Sequence, residues 1–357
     1  MQKKILCLLP LCVLAAAVVW AAAAGDAADP LASLSYLTGV FTGKVDAAVD
    51  ARLDGSAPPR QEDGGAAGAP AVWAEVRLKQ DDALQASTGD GVLLLAGSAR
   101  VDYPAGAVVD VTAGAVVPSG GSLAADHRYL VAEDTAASFL ITSKTAVLDH
   151  QGSCTFRYST ATDYNAMAAA LKAIHLFQGS STGYGQGFDL EAAPTRLQAL
   201  IMFIRVLGEE SEALAWEGSC PFTDVRAGTN GAKYVGYAYE RGYTNGWGAG
   251  QFRPSHPVNA RQYTEFILRA LGYSSAANTD LSDTLSRARD VGLLTEGEAA
   301  MLRQDPFLRA ELVYISYYAL EAQVSGTGRT LAQTLMEKGV FTQFERDAAP
   351  SVVNWRL

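Results

Sequence analysis

Residues 220–273 read CPFTDVRAGTNGAKYVGYAYERGYTNGWGAGQFRPSHPVNARQYTEFILRALGY. A Phe-Thr-Asp-Val opening is followed by a short helical run over 233–241. A Gly-rich turn covers 242–252, and a longer helix is expected over about 258–271. In that second helix Tyr263, Phe266, Ile267, Ala270 and Leu271 fall at helical spacing and make one apolar stripe. Gly272 follows where a helix stops, because a positive φ there costs glycine little.

One pair of helices cannot bury such a stripe alone, so further copies are expected. Setting Leu207-Gly208 on Leu271-Gly272 aligns Pro194 with Val258 and Gln198 with Gln262. The stripe then recurs as Ala199, Met202, Phe203, Val206 and Leu207. A third copy aligns Glu311 with Gln198 and gives Leu312, Ile315, Ser316, Ala319 and Leu320. Its Gly loop is reduced to 292–297. Three copies are expected, at 160–212, 213–275 and 276–345.

The motif order of 220–273 resembles the S-layer homology repeat. The resemblance implies an α+β multidomain chain, with a small all-β module ahead of an all-α pseudo-threefold bundle of three repeats. It also implies grooves that bind a secondary cell-wall polysaccharide, a polymer linked to peptidoglycan that commonly bears a pyruvate ketal. The family signature at the start of the second helix is Thr-Arg-Ala-Glu. Here it is matched by Thr195, Arg196, Leu197 and Gln198, and by Leu308, Arg309, Ala310 and Glu311. In the middle copy Ala260 takes the Arg position and Arg261 is shifted by one. The Trp that the family often shows in the first helix is Tyr234 here.

The polysaccharide-binding residues implied are Thr195, Arg196, Gln198, Arg261 and Arg309, with Gly246, Gly248, Trp247 and Tyr184 from the loops. An Arg in a first helical turn offers a planar fork to a carboxylate, beside free N–H groups and the positive dipole end. One charge-assisted contact of that kind contributes about 1.5–3 kcal/mol. Glycines admit a sugar close to the backbone, and Trp247 or Tyr184 can stack on a pyranose ring. Asp224 is expected to hold its loop rather than touch sugar. No cofactor or metal is implied.

The N-terminus carries Lys3 and Lys4, an apolar run over 5–20 and small residues over 21–24. This is the layout of a secretory signal peptide at 1–24. Its removal takes the formal charge from −10 to −12, since Lys3 and Lys4 lie in it. An acidic chain of this kind argues against nucleic acid. No second apolar segment follows, so no membrane span is expected after the signal. Cys154 and Cys220 remain, as a disulfide or as two thiols.

A helical segment is expected over 25–57 and a Gly/Ala/Pro-rich linker over 58–70. Short runs of Val, Leu, Ile and Thr separated by turn residues fill 71–152 and predict an all-β sandwich or short solenoid. A weak helical stripe covers 329–338, and a tail follows at 346–357. The acidic pairs Asp81-Asp82 and Glu209-Glu210 read as solvated surface. His127, His150, His175 and His256 show no metal-ligand spacing, and no hydrolase or phosphate-loop motif occurs. The sequence therefore implies a secreted, noncatalytic protein of the cell wall or cell surface (S-layer). The alternative is a noncatalytic interaction or assembly scaffold whose repeats bind no polymer.

Overall fold

Among the described residues, eleven strands alternate with tight turns over 74–157 because valine, leucine and isoleucine recur at period two between glycines and aspartates. The structure is a computed structural model. It describes residues 72–182, 185–275, 277–303, 306–352 and 356. The expected signal peptide at 1–24, the helical segment expected at 25–57 and the linker expected at 58–70 lie outside them.

The strands are β1 (Ala74–Lys79), β2 (Ala83–Ser87), β3 (Gly91–Ala96), β4 (Ala99–Asp102), β5 (Ala107–Asp110), β6 (Ala115–Val117), β7 (Gly121–Ser122), β8 (His127–Ala132), β9 (Ala136–Ile141), β10 (Thr145–Gln151) and β11 (Thr155–Arg157). They form two antiparallel sheets, ordered β1-β10-β3-β8-β5-β6 and β11-β2-β9-β4-β7. Alternation decides which side is inside. In β9, Ala137, Phe139 and Ile141 point into the core while Ala136 is exposed. They meet Leu78, Val92, Leu94, Val108, Tyr129 and Leu148 of the other sheet in one apolar layer. The chain is thus a sandwich here. Asp82 is not surface: it is buried and accepts hydrogen bonds from Lys79 Nζ (2.8 Å) and the Ser159 N–H (2.7 Å).

Helices follow: α1 (Tyr164–Ala173), α2 (Arg196–Leu207), α3 (Glu210–Ala215), α4 (Asn230–Glu240), α5 (Ala260–Ala270), α6 (Thr284–Asp290), α7 (Glu296–Met301), α8 (Arg309–Ala319), α9 (Leu331–Glu337) and α10 (Gln343–Ala348). Thr195 caps α2 and Asn259 caps α5, each in a capping box with the glutamine three residues on. The stripes of α2, α5 and α8 share one core. Phe203 stacks on Phe266 at 5.0 Å, and the Tyr263 hydroxyl meets Ser316 Oγ at 2.6 Å. Gly272 ends its helix at φ +79°.

The expected fold class needs correcting. The helical half is not all-α: Ser180–Thr182 and Gly185–Gly187 pair as a β-hairpin, β12–β13. Nor is the β region a separate module. Residues 70–357 form one compact unit. Helix α1 packs on β1, the Arg77 guanidinium lies against Gly187, and Lys144 of the β9–β10 turn forms an ion pair with Glu311 of α8. Two of these joining contacts are polar: an ion pair, and a guanidinium against backbone. Helices α3, α7 and α10 were also not foreseen; α7 begins at the end of the loop expected over 292–297.

Cys154 and Cys220 are free thiols, both half-buried. Cys154 packs against the sandwich core, where burial, with Asp90 nearby, pushes its pKa up to about 11. Among the described residues no helix is long and apolar enough to cross a membrane.

Glu311 is almost fully buried and Lys144 is its cationic partner. Lys144→Ala should lower the unfolding free energy by about 1–2 kcal/mol, the lysine end being partly hydrated. A urea melt of that variant coinciding with wild type would show the joint to be idle.

Candidate functional site

The site begins with a carboxylate and a peptide. Asp224, exposed in the Phe-Thr-Asp-Val opening ahead of α4, accepts the backbone N–H groups of Phe252 (2.9 Å) and Arg253 (2.7 Å) at the end of the Gly-rich turn. Burial acts to raise its pKa, but these two N–H groups, with Arg253 beside it, hold it below the usual carboxylate range. Gly246 closes the turn at φ +75°, and a Cβ there would come within 2.3 Å of the Phe222 ring. A side chain is excluded on both counts. Gly248, at φ +113°, faces open space.

Arg196, the first residue of α2, reaches this loop. Its Nε donates to the Phe252 carbonyl at 2.8 Å, and its guanidinium lies 4.9 Å from the Phe252 ring and 5.3 Å from Trp247. Its backbone N–H donates to the His256 carbonyl, and that of Leu197 to Pro254. Arg309, the first residue of α8, repeats the three hydrogen bonds, with Phe177 rather than the clamped phenylalanine beside its guanidinium at 5.5 Å. Its Nε donates to the Phe188 carbonyl at 3.1 Å, its N–H to Ala192, and the Ala310 N–H to Leu190. Each accepting pair, Phe188 and Phe252, Leu190 and Pro254, Ala192 and His256, is 64 residues apart.

A groove lies beside each arginine. One, of about 630 Å³, is lined by Arg309, Gln178, Gln198, Ile201, Met202 and Arg205 among others. The other, of about 650 Å³, is lined by Arg196, Asn245, Gln262, Glu265, Phe266 and Arg269 among others. Gln198 and Gln262, Met202 and Phe266, Arg205 and Arg269 again stand 64 apart, so the two grooves are built on one plan. Arg205 is paired with Glu210 at 2.8 Å. Glu265 is buried in an ion pair with Arg287 at 2.6 Å.

Arg196 is 9% exposed and Arg309 is 6% exposed, and neither has an ion-pair partner among the described residues. Burial lowers the pKa of both. Arg253 adds to that effect at Arg196 and Asp224 opposes it, whereas Asp189 and Glu191 oppose it at Arg309. Trp247 is 43% exposed, with Arg253 at 4.7 Å over its ring and His256 edge-on at 5.2 Å.

The other expected residues fall elsewhere. Arg261 is exposed on α5 and lines neither groove. The Thr195 hydroxyl is used to cap α2, and the Gln198 side chain accepts the Thr195 N–H while facing its groove. Tyr184 lies outside the described residues. The Glu209-Glu210 pair is not simply solvated. Glu209 accepts the hydroxyls of Tyr237 and Tyr243, and Glu210 that of Tyr234. Burial, then these carboxylates, push Tyr234 and Tyr237 up to about 12. Arg253 and His256 were not anticipated. Among the described residues no three His, Cys, Asp or Glu side chains cluster as metal ligands.

Asp224→Ala should loosen the loop and cost about 1 kcal/mol, its exposed carboxylate being partly screened by water. Because its folded pKa is depressed, this contribution is complete above the unfolded carboxylate value and fades as pH falls through the folded one. Amide exchange at Phe252 and Arg253 should therefore quicken in the variant at neutral pH. Equal exchange in both proteins would contradict the role.

Residues 221–259, which hold Asp224, α4 and the Trp247 loop, match the S-layer homology domain. A 135-residue stretch is 30% identical to the protein named "Cell surface protein" of Thermoanaerobacter kivui, and the match takes in 37% of this chain. The chain spans only 17% of that relative. Three repeats were expected at 160–212, 213–275 and 276–345; the family match covers one stretch, within the second.

Proposed function

We propose that this chain is a noncatalytic surface anchor that holds secondary cell-wall polysaccharide noncovalently, after export directed by residues 1–24. The observation that carries the reading is the recurrence of one arrangement: a buried arginine at a helix start, clamped to a loop carbonyl, with a groove beside it. Each guanidinium is fixed by its Nε and by aromatic rings, which leaves its terminal nitrogens for an acceptor. The match at 221–259 and the name of the T. kivui relative support a place at the cell surface.

In this reading α2, α5 and α8 are the second helices of three copies, of which two keep an open groove. At the third, Glu311, Tyr314, Ile315 and Tyr318 are all buried, and Ala260 stands where the arginine would be. Lys144 covers Glu311 and Tyr164 packs on Tyr314. Two grooves on one rigid support gain from a repetitive polymer by multivalency. The ligand is a polymer linked to peptidoglycan, its anionic group a carboxylate such as a pyruvate ketal.

The test is sedimentation of the full chain with purified wall sacculi. Wild type should sediment, and should stop doing so once the polysaccharide is stripped. Arg196→Ala combined with Arg309→Ala should weaken binding by at least about tenfold, one charge-assisted contact contributing about 1.5–3 kcal/mol. Arg100→Ala, in the sandwich, serves as the control, with circular dichroism to establish folding. Sedimentation that survives stripping would favour a protein-binding scaffold instead.

A further inference from the structure

Arg269 and Arg356 serve matching places from different parts of the chain. Gln262 of α5 and Glu311 of α8 each accept the N–H three residues back, at 3.1 and 2.7 Å, where their helices begin. Seven residues after them stand Arg269 and Tyr318. Arg269 donates to the Tyr243 carbonyl at 3.0 Å, directly after Gly242 at φ +70°. A tyrosine at 318 brings no guanidinium. There Arg356 donates to the Leu293 carbonyl at 2.9 Å, directly after Gly292 at φ +77°. Both helices thus have a guanidinium on the carbonyl after the glycine, but α8 receives its one from beyond α10.

The receiving site is shaped for that group. Glu298 of α7 is fully buried, and its oxygens accept the Thr295 N–H and the Tyr314 hydroxyl, each at 2.8 Å. Arg356 adds Nε on one oxygen at 2.8 Å and Nη2 on the other at 2.7 Å, a two-pronged pairing. The Tyr318 ring lies 4.5 Å from the guanidinium. A fork of acceptors, an aromatic face and a carbonyl together suit a planar guanidinium better than a compact ammonium.

The segment that delivers Arg356 is lightly held. No residue of α10 is buried. Its ion pairs, Arg346 with Glu321 and His175 with Glu345 at 3.2 Å, lie at the surface. Ala349 and Val352 are only half-buried. Beneath them is a cleft of about 1130 Å³ bounded by Ala170, Ile174, Tyr317 and Leu320 among others. Polar surface contacts over an open cleft let such a segment lift at less cost than a packed helix.

We propose that α7 and α8 form a guanidinium-binding site, which Arg356 fills in this chain and which takes a guanidinium from another molecule once Arg356 is out of it. With the site empty, Glu298 is a buried carboxylate without its counter-charge, a costly state that an arriving cation of the right shape relieves. Nothing in this site depends on polysaccharide binding, so its test and that of the anchor are independent.

The test is a urea melt of the full chain with two soluble probes, methylguanidinium and methylammonium, at equal ionic strength. Arg356→Ala should raise the unfolding equilibrium constant by about thirtyfold, short of a fully buried pair because the arginine side chain is 34% exposed. Millimolar methylguanidinium should recover about half of that loss and leave wild type unmoved. Methylammonium should recover far less, and Arg356→Lys should fall between alanine and wild type. Glu298→Gln combined with Arg356→Ala should not respond to methylguanidinium. Should Arg356→Ala alone not fold, its refolding yield in each probe, read by circular dichroism, makes the same comparison. An Arg356→Ala melt that coincides with wild type would overturn the proposal. So would no recovery by methylguanidinium, equal recovery by both probes, or recovery that persists without the Glu298 carboxylate.

Discussion

The peptide of Phe252 is held at both ends. Its N–H is given to Asp224 and its carbonyl takes the Arg196 Nε, so one carboxylate and one guanidinium clamp a single backbone unit between them. The loop that carries Trp247 is thereby tied to the start of α2, 56 residues earlier in the sequence. With the guanidinium oriented by the carbonyl and the flanking rings, little rotamer freedom remains to be lost when an acceptor arrives. The pairing of Arg309 with the Phe188 carbonyl does the same for the other groove. Both grooves exist because helix starts dock on loops of a neighbouring segment.

Much of the helical half was legible because its signals are local. The stripe of α5, the stop at Gly272 and the two capping boxes each lie within a few residues, where periodicity and side-chain chemistry act directly. Arg196 and Arg309 were found through a family resemblance, and each stands beside a groove. What was missed depends on distant partners. Glu209 and Glu210 read as surface because the tyrosines that bond them lie some 24 to 34 residues on. Asp82 is buried by Ser159 from beyond the last strand. Arg253 was passed over because nothing in its own neighbourhood shows that Trp247 folds back beneath it.

The fold class failed for a related reason. A change from strand-rich to helix-rich sequence suggests two bodies, and each half does have its own apolar core. What unites them is thinner and more polar: the Lys144–Glu311 ion pair, the approach of Arg77 to Gly187, and α1 lying on β1. Such contacts leave no hydrophobic trace to read. The hairpin β12–β13 escaped because its strands are short and built of Ser, Thr, Gly and Gln rather than β-branched apolar residues.

The compactness of residues 70–357 bears on mechanics. Where a flexible spacer would let the sandwich swivel, this joint passes torque straight from the sheets to the helix starts. A pull on the strands would enter the helical half through these few contacts, and their rupture would come before the loss of either apolar core.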